Sequence, residues 1–410
     1  MTATIAIVGA SLAGGQAALS LRQKGFAGRI VLVGGEPHPP YERPPLSKEV
    51  LMGEAEPSTT QLVPPERYAE ADIELVLGVR ATALLPAERS IVLDDGRSLV
   101  VDSLLLTTGA RPRSVSLPGR DLGGVHELRT VDQAVALRDA LRPQARVVVI
   151  GAGFIGAEVA AVARARGCSV ALVELAELPL HRVLGPEVGG LYAKMHRSNG
   201  VELHLNSRPV AILGDTRCTA VELDNGLVLE ADVVVCGVGV SPVTELAAQA
   251  GALVDNGIVV DGQCRTTIPN VYAAGDVASR PSSFAAGQIR LESWQNAQNH
   301  AIAAAAAMLG SAVDFDELPW FWSDQYNVNL QLAGLPSGHD TVVWRGDPDA
   351  FDCAAFYLRD GLISGVVGLN RPREVRATMD LIRGRIPVEP AALSDESTDL
   401  RSLGRPTVGG

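Results

Sequence analysis

Val147-Val148-Val149-Ile150-Gly151-Ala152-Gly153-Phe154-Ile155-Gly156 is an apolar run closed by three spaced glycines, and it leads on to Glu174. An earlier stretch, Ile5-Ala6-Ile7-Val8-Gly9-Ala10-Ser11-Leu12-Ala13-Gly14, repeats the pattern and leads to Glu36. In each, the apolar residues read as a buried parallel strand and the glycines as a tight turn. The residues that follow read as a helix whose first N–H groups face a pyrophosphate, and the later carboxylate can accept both ribose hydroxyls of an adenosine. One such motif is often only a structural turn. Two, each with strand, helix and acid in place, point to two dinucleotides on one chain and to electrons passing between them.

Superposing the two stretches pairs Gly9 with Gly151, Gly14 with Gly156 and Gly25 with Gly167, an internal duplication. The fold class expected is α/β, with two Rossmann-like dinucleotide-binding domains and a C-terminal α+β domain carrying an antiparallel sheet. The first domain is read over 1–111 and 239–318, the second over 112–238, and the third over 319–410 with a loose tail from about 394. Within the first, a helix is expected through Leu21, then strands at 30–33 and 104–107, and 270–276 reads as a strand returning to the same fold. Beyond Pro319 the short β-rich segments 328–332, 341–344, 354–358 and 362–369 suggest antiparallel strands, with a helix over 372–383.

At 410 residues, 47% hydrophobic and 20% charged, the chain can fill two or three packed cores. A net charge of −12 argues against a nucleic-acid partner, whose phosphates need basic surface, and leaves room for a local basic patch facing an acidic protein. The five cysteines, Cys168, Cys218, Cys236, Cys264 and Cys353, are dispersed without a Cys-x-x-Cys pair. They fit neither a disulfide framework nor a metal site and read as buried reduced thiols of a cytoplasmic protein. The first strand begins without the basic segment of a signal peptide, and the Ala-rich stretch 301–309 is too short to span a bilayer.

Three further segments are harder to match by chance than the glycine turns: Tyr41-Glu42-Arg43-Pro44-Pro45-Leu46-Ser47-Lys48, Arg290-Leu291-Glu292-Ser293-Trp294-Gln295-Asn296-Ala297, and Leu318-Pro319-Trp320-Phe321-Trp322-Ser323-Asp324-Gln325. With the turns, they resemble the FAD-dependent pyridine-nucleotide oxidoreductases, and more narrowly the ferredoxin reductases that feed bacterial ring-hydroxylating dioxygenases and cytochromes P450. The resemblance runs to about Gly384. It implies FAD in the first fold, NADH in the second, a [2Fe–2S] ferredoxin as transient partner, and a monomer or weak dimer.

By the same resemblance, Gly9, Ser11, Leu12, Ala13 and Gly14 cradle the FAD pyrophosphate and Glu36 takes its adenosine ribose. Ser11 stands where a glycine often does and is small enough for close approach. Asp276 is placed at the ribityl–phosphate region, though an Asp after Gly also suits a helix N-cap. Arg43 and Arg129 are FAD phosphate or pyrimidine contacts, or equally surface ion pairs; Ala81 offers backbone to the adenine; Trp294 meets the isoalloxazine edge or simply packs in the core. For the second nucleotide the residues are Gly151, Gly153, Phe154, Ile155, Gly156, Glu174 and Gly239, with Arg182 either at the phosphates or solvated. Glu174 favours NADH because it accepts from a ribose diol and repels a 2′-phosphate.

Hydride transfer needs stacked rings with water excluded, and a reduced, anionic flavin calls for a nearby cation. The resemblance makes Lys48 that cation and pairs it with Glu158, although an acid at a helix start is also favoured by the helix dipole alone. It places Trp320 by the flavin where ferredoxin docks; Trp320, Phe321 and Trp322 also read as ordinary interface core. No cysteine occurs in the 41–48 loop or anywhere before Cys168, so thiol chemistry at the flavin is not expected and electrons leave by outer-sphere transfer. No metal-ligand constellation is read. Rubredoxin or monodehydroascorbate reduction, and a redox-sensing flavoprotein resembling apoptosis-inducing factor, are the competing expectations.

Overall fold

The structure, a computed structural model, describes residues 3–404. Two compact units divide the chain. The first takes it up to Pro44, with Pro57–Arg111 and Val240–Glu317; the second takes Pro45–Glu56, Pro112–Gly239 and everything from Leu318. The segment expected as a separate third domain therefore lies in the second unit, as does Lys48 from the loop read with the first fold.

In the first unit five parallel strands lie in the order Val271–Ala273, Ser103–Leu106, Thr4–Val8, Arg29–Gly34, Ile73–Leu77. The strand period of two explains why the central run is apolar throughout. Ala6 and Val8 pack into one core with Val31, Val33 and Leu104, while Ile5 and Ile7 face the helix Leu12–Gln23 with Leu21, Leu32 and Leu105. The helix ends in a Schellman cap: Gly25 N–H donates to the Arg22 carbonyl at 2.9 Å and Phe26 N–H to that of Leu21 at 3.0 Å.

The second unit rebuilds this arrangement with strands Val201–His204, Ser169–Val173, Arg146–Ile150, Val233–Cys236 and Val125–His126, again all parallel. Its helix Phe154–Ala165 ends in the same cap, Gly167 N–H to the Arg164 carbonyl and Cys168 N–H to that of Ala163. The duplication goes further than the glycines. Each unit inserts a three-stranded antiparallel sheet, Ala81–Leu85 with Ser90–Leu93 and Ser98–Val100 in the first, Pro209–Gly214 with Cys218–Leu223 and Val228–Glu230 in the second. Both turn at an Asp-Asp/Asn-Gly, with Leu93 N–H donating to the Arg97 carbonyl and Leu223 N–H to that of Leu227. Both sheets then hand over to an aspartate, Asp102 or Asp232, that accepts from the N–H opening the central strand, Thr4 at 2.8 Å or Arg146 at 2.9 Å. The sequence reading missed these inserted sheets because their strands are short and only half-buried.

From Leu318 the second unit adds an antiparallel sheet, Trp320–Gln325, Val328–Gly334, Leu362–Leu369, Asp352–Arg359 and Thr341–Asp347 in spatial order, with the helix Pro372–Arg383 laid across it. Close approach of that helix requires Gly368, where a Cβ would come within 2.6 Å of Val375. The strand Trp320–Gln325 was not expected as a strand. The stretch read as a loose tail is held instead: Leu393 and Leu400 are buried, and Arg345 donates to the carbonyls of Leu393, Asp395, Glu396 and Thr398. Residues 405–410 of that tail lie outside the described residues. No described helix is long and apolar enough to cross a membrane.

Candidate functional site

Each glycine turn is shaped by steric exclusion. Gly9 holds φ +115°, and a Cβ there would lie 2.2 Å from the Thr107 carbonyl oxygen; Gly14 packs so closely that its Cβ would meet the Gly9 carbonyl at 1.9 Å. Gly151 and Gly156 repeat this against Gly237 at 2.5 Å and Gly151 at 1.9 Å, whereas a Cβ on Gly153 would meet nothing within 4 Å. Neither Ser11 nor Gly153, the two N-cap residues, caps its helix with a side chain. The first-turn N–H groups, uncapped by a side chain in both units, suit a dinucleotide pyrophosphate. Leu12 and Ala13 are the buried first turn of one helix; Phe154 and Ile155 open the other, with Ile155 exposed.

The two acids sit at matching strand ends and are held differently. Glu36 accepts from the Tyr41 hydroxyl at 2.5 Å and from Arg43 at 3.0 Å, and the Arg43 guanidinium lies 5.2 Å over the Tyr41 ring. Arg43 thus forms an ion pair with Glu36. Glu174 instead accepts from backbone, the Ala152 N–H inside the glycine turn at 2.6 Å and the Ala176 N–H at 2.9 Å. Both arrangements stiffen the carboxylate they hold.

Also in the first unit, a Cβ on Gly275 would lie 3.1 Å from that of Ala13, so the Gly275-Asp276 turn is seated on the first helix turn. Asp276 is inside a single 3-10 turn whose N-cap is Ala274, so it is not the helix cap that its sequence also allowed. Trp294 opens the helix Trp294–Met308 and packs, half-buried, on the cluster that contains Leu12 and Ala13. Ala81 begins the first inserted strand, close after Gly78, whose N–H donates to the Glu36 carbonyl. Arg129 belongs to the second unit, where its N–H donates to Gln133 at the entry to a helix. Arg182 is exposed near the start of His181–Ser198, and Gly239 accepts from the Arg113 N–H.

In the second unit Lys48 Nζ stands 2.9 Å from Glu158 Oε1, with both side chains largely withdrawn from water. Two hydroxyls complete the carboxylate's shell: Ser47 donates to Oε2 at 2.5 Å and Ser323 to Oε1 at 2.6 Å. Three donors on one nearly buried carboxylate are what an ionised acid in a low-dielectric site requires. Sequence reasoning assigned no role to Ser47 or Ser323. The available signal was the strand period: Trp320, Trp322 and Asp324 share the more open face of their strand, Phe321, Ser323 and Gln325 the covered one. Trp320 and Trp322 stack at 5.3 Å, while Phe321 packs on Phe154 at 4.4 Å. The three aromatics are thus split between two faces and do not form one core.

A duplicated α/β fold with two turns that each fit a dinucleotide, and a buried lysine–glutamate pair, defines an oxidoreductase that works through two nucleotides. The chain belongs to the pyridine nucleotide-disulphide oxidoreductase family, which it matches over residues 3–301, and residues 320–404 match the reductase C-terminal family. It is 40% identical over 399 residues to rhodocoxin reductase of Rhodococcus erythropolis, spanning 97% of this chain and 93% of that one. It is 36% identical over 405 residues to the benzene 1,2-dioxygenase system ferredoxin–NAD(+) reductase subunit of Pseudomonas putida, spanning 99% and 98%. Its fold matches the crystal structure of the covalent putidaredoxin reductase–putidaredoxin complex with a TM-score of 0.95 at 38% identity, covering 98% of each chain. The family implies a flavin and a nicotinamide substrate.

Proposed function

We propose that this protein oxidises NADH at bound FAD and passes the electrons singly to a small [2Fe–2S] ferredoxin serving a dioxygenase or a cytochrome P450. The names of its relatives, a rhodocoxin reductase and a ferredoxin–NAD(+) reductase subunit among them, support the reaction class. The observation that carries the reading is Lys48, fixed 2.9 Å from Glu158 in a segment that holds no cysteine. FAD supplies a carrier that takes a hydride and releases electrons one at a time. The chain's residues do the rest. The Gly9 turn and Glu36 hold the FAD adenosine half, and Asp276, next to the Gly275 that is seated on Ala13, takes the ribityl side. Glu174, aimed by two backbone N–H groups, accepts from the ribose diol of NADH and disfavours the extra phosphate of NADPH. Lys48 offers positive charge where the flavin gains negative charge, and Glu158 with its serines stops that ammonium from turning away.

Steady-state cytochrome c reduction by NADH, with and without an added [2Fe–2S] ferredoxin, tests the reading. Turnover is expected to rise at least tenfold with ferredoxin. Equal rates with and without it, or equal use of a rubredoxin, would sink the proposal.

A further inference from the structure

Beyond Glu158 the hydrogen bonding continues into the interior. Ser323 Oγ spends its one proton on Glu158, so it can only accept from Gln325 Nε2, 3.3 Å away. Gln325 Oε1 must then accept from His196 Nε2 at 3.1 Å, which leaves His196 Nδ1 to accept from the Tyr326 hydroxyl at 3.0 Å. Every bond in this chain is donated in one direction, toward the carboxylate. Ser323, Gln325 and His196 are each no more than 1% exposed, so no competing solvent donor reaches them. Bonds aligned head to tail in a low-dielectric interior polarise one another, and here the accumulated polarity ends on the acid that holds Lys48.

We propose that Ser323, Gln325 and His196 are positioning residues that set the orientation of the Glu158–Lys48 pair through this one-way chain. The inference rests on the assignment of Lys48 to the flavin site. Burial pushes the His196 imidazole down to about 4, which keeps it neutral, and the Gln325 Oε1 acceptor places its one proton on Nε2. The turn between the strands Trp320–Gln325 and Val328–Gly334 presents Tyr326 at φ +55° as the chain's outer end.

The test uses the FAD-loaded enzyme with S323A, Q325L and H196F, and S323T as the conservative rescue. Stopped-flow bleaching of the flavin by NADH separates the limiting rate from the apparent Kd for NADH. S323A is expected to lower the limiting rate about tenfold, the equivalent of one hydrogen bond to a charged group, with NADH affinity unchanged. Q325L and H196F give progressively smaller losses, and S323T restores the rate. In parallel, 15N NMR of histidine-labelled protein is expected to find His196 neutral with its proton on Nε2, and to lose that preference in Q325L. An unchanged limiting rate in S323A, a parallel loss of rate and NADH affinity in all three variants, or a wild-type proton on Nδ1 overturns the proposal. Should S323A not fold, Q325L and the tautomer decide. Neither readout involves ferredoxin, so a failure of the ferredoxin reading would be seen separately.

Discussion

The two glycine turns are near copies in backbone and differ in what they do with the same helix position. Two residues past Gly14, the partner of Gly156, the first copy has Gln16, half-buried and donating to Ser20 one turn on at 3.1 Å. The second copy has Glu158, 2% exposed and held by Lys48, Ser47 and Ser323. One copy therefore uses the position for local helix bonding and the other to bury a charge pair. Caps, inserted sheets and strand-end aspartates are common to both, so the duplication is one of scaffold, and the charge pair is added to one copy of it.

The largest test of the likeness is at the glycines that touch backbone. Gly14→Ala and Gly156→Ala each force a Cβ to 1.9 Å from a carbonyl oxygen, and each is expected to cost about 3 kcal/mol or more, read as a fall in the denaturant midpoint. Gly153→Ala, with open space, should leave the midpoint within about 0.5 kcal/mol while weakening NADH binding; equal damage from all three would break the comparison. The difference between the copies is tested next. Lys48→Met leaves Glu158 buried without its cation and should cost about 3 kcal/mol, part of it recovered by adding Glu158→Leu. Gln16→Leu should change stability by less than about 0.5 kcal/mol, since its one bond is partly solvated.

The acids sharpen the contrast further. Glu174→Gln is expected to shrink the NADH over NADPH preference in kcat/KM about tenfold. Glu36→Gln should leave that ratio alone and weaken FAD retention; a change of ratio in the second variant would mean the cradles are assigned the wrong way round. The smallest effect is one of pH. Burial lowers His300 in the first unit to about 3 and His196 in the second to about 4. Both unfold to imidazoles of ordinary affinity, so the unfolded chain binds more protons below about pH 6.5, and stability is lost as pH falls. Between pH 7 and 6 each histidine should contribute about 0.7 kcal/mol of loss, and His196→Phe should flatten the slope of the urea midpoint accordingly.

Much of this was legible in the chain because the cradle is made by local rules. A buried parallel strand, a glycine that cannot carry a Cβ and an acid at the next strand end all leave marks at fixed spacing. The inserted sheets were not legible, since strands such as Ser98–Val100 are three residues long and alternate with exposed side chains. The strand Trp320–Gln325 was recognised as a motif but not as a strand, and with that the facing of Ser323 and Gln325 was lost. His196 had no signal of its own: its role depends on partners more than a hundred residues away that only the fold brings to it.

The cysteines have a practical consequence. All five are buried and unpaired, and burial raises their thiols, Cys236 to about 11 and Cys264 and Cys353 to about 12. Thiolates so scarce and so shielded react slowly with peroxide and with maleimides alike. The wild-type surface is therefore a blank background for site-directed labelling. A single cysteine engineered at an exposed position would be the one fast-reacting handle for a spin label, a fluorophore or a cross-link to a carrier protein.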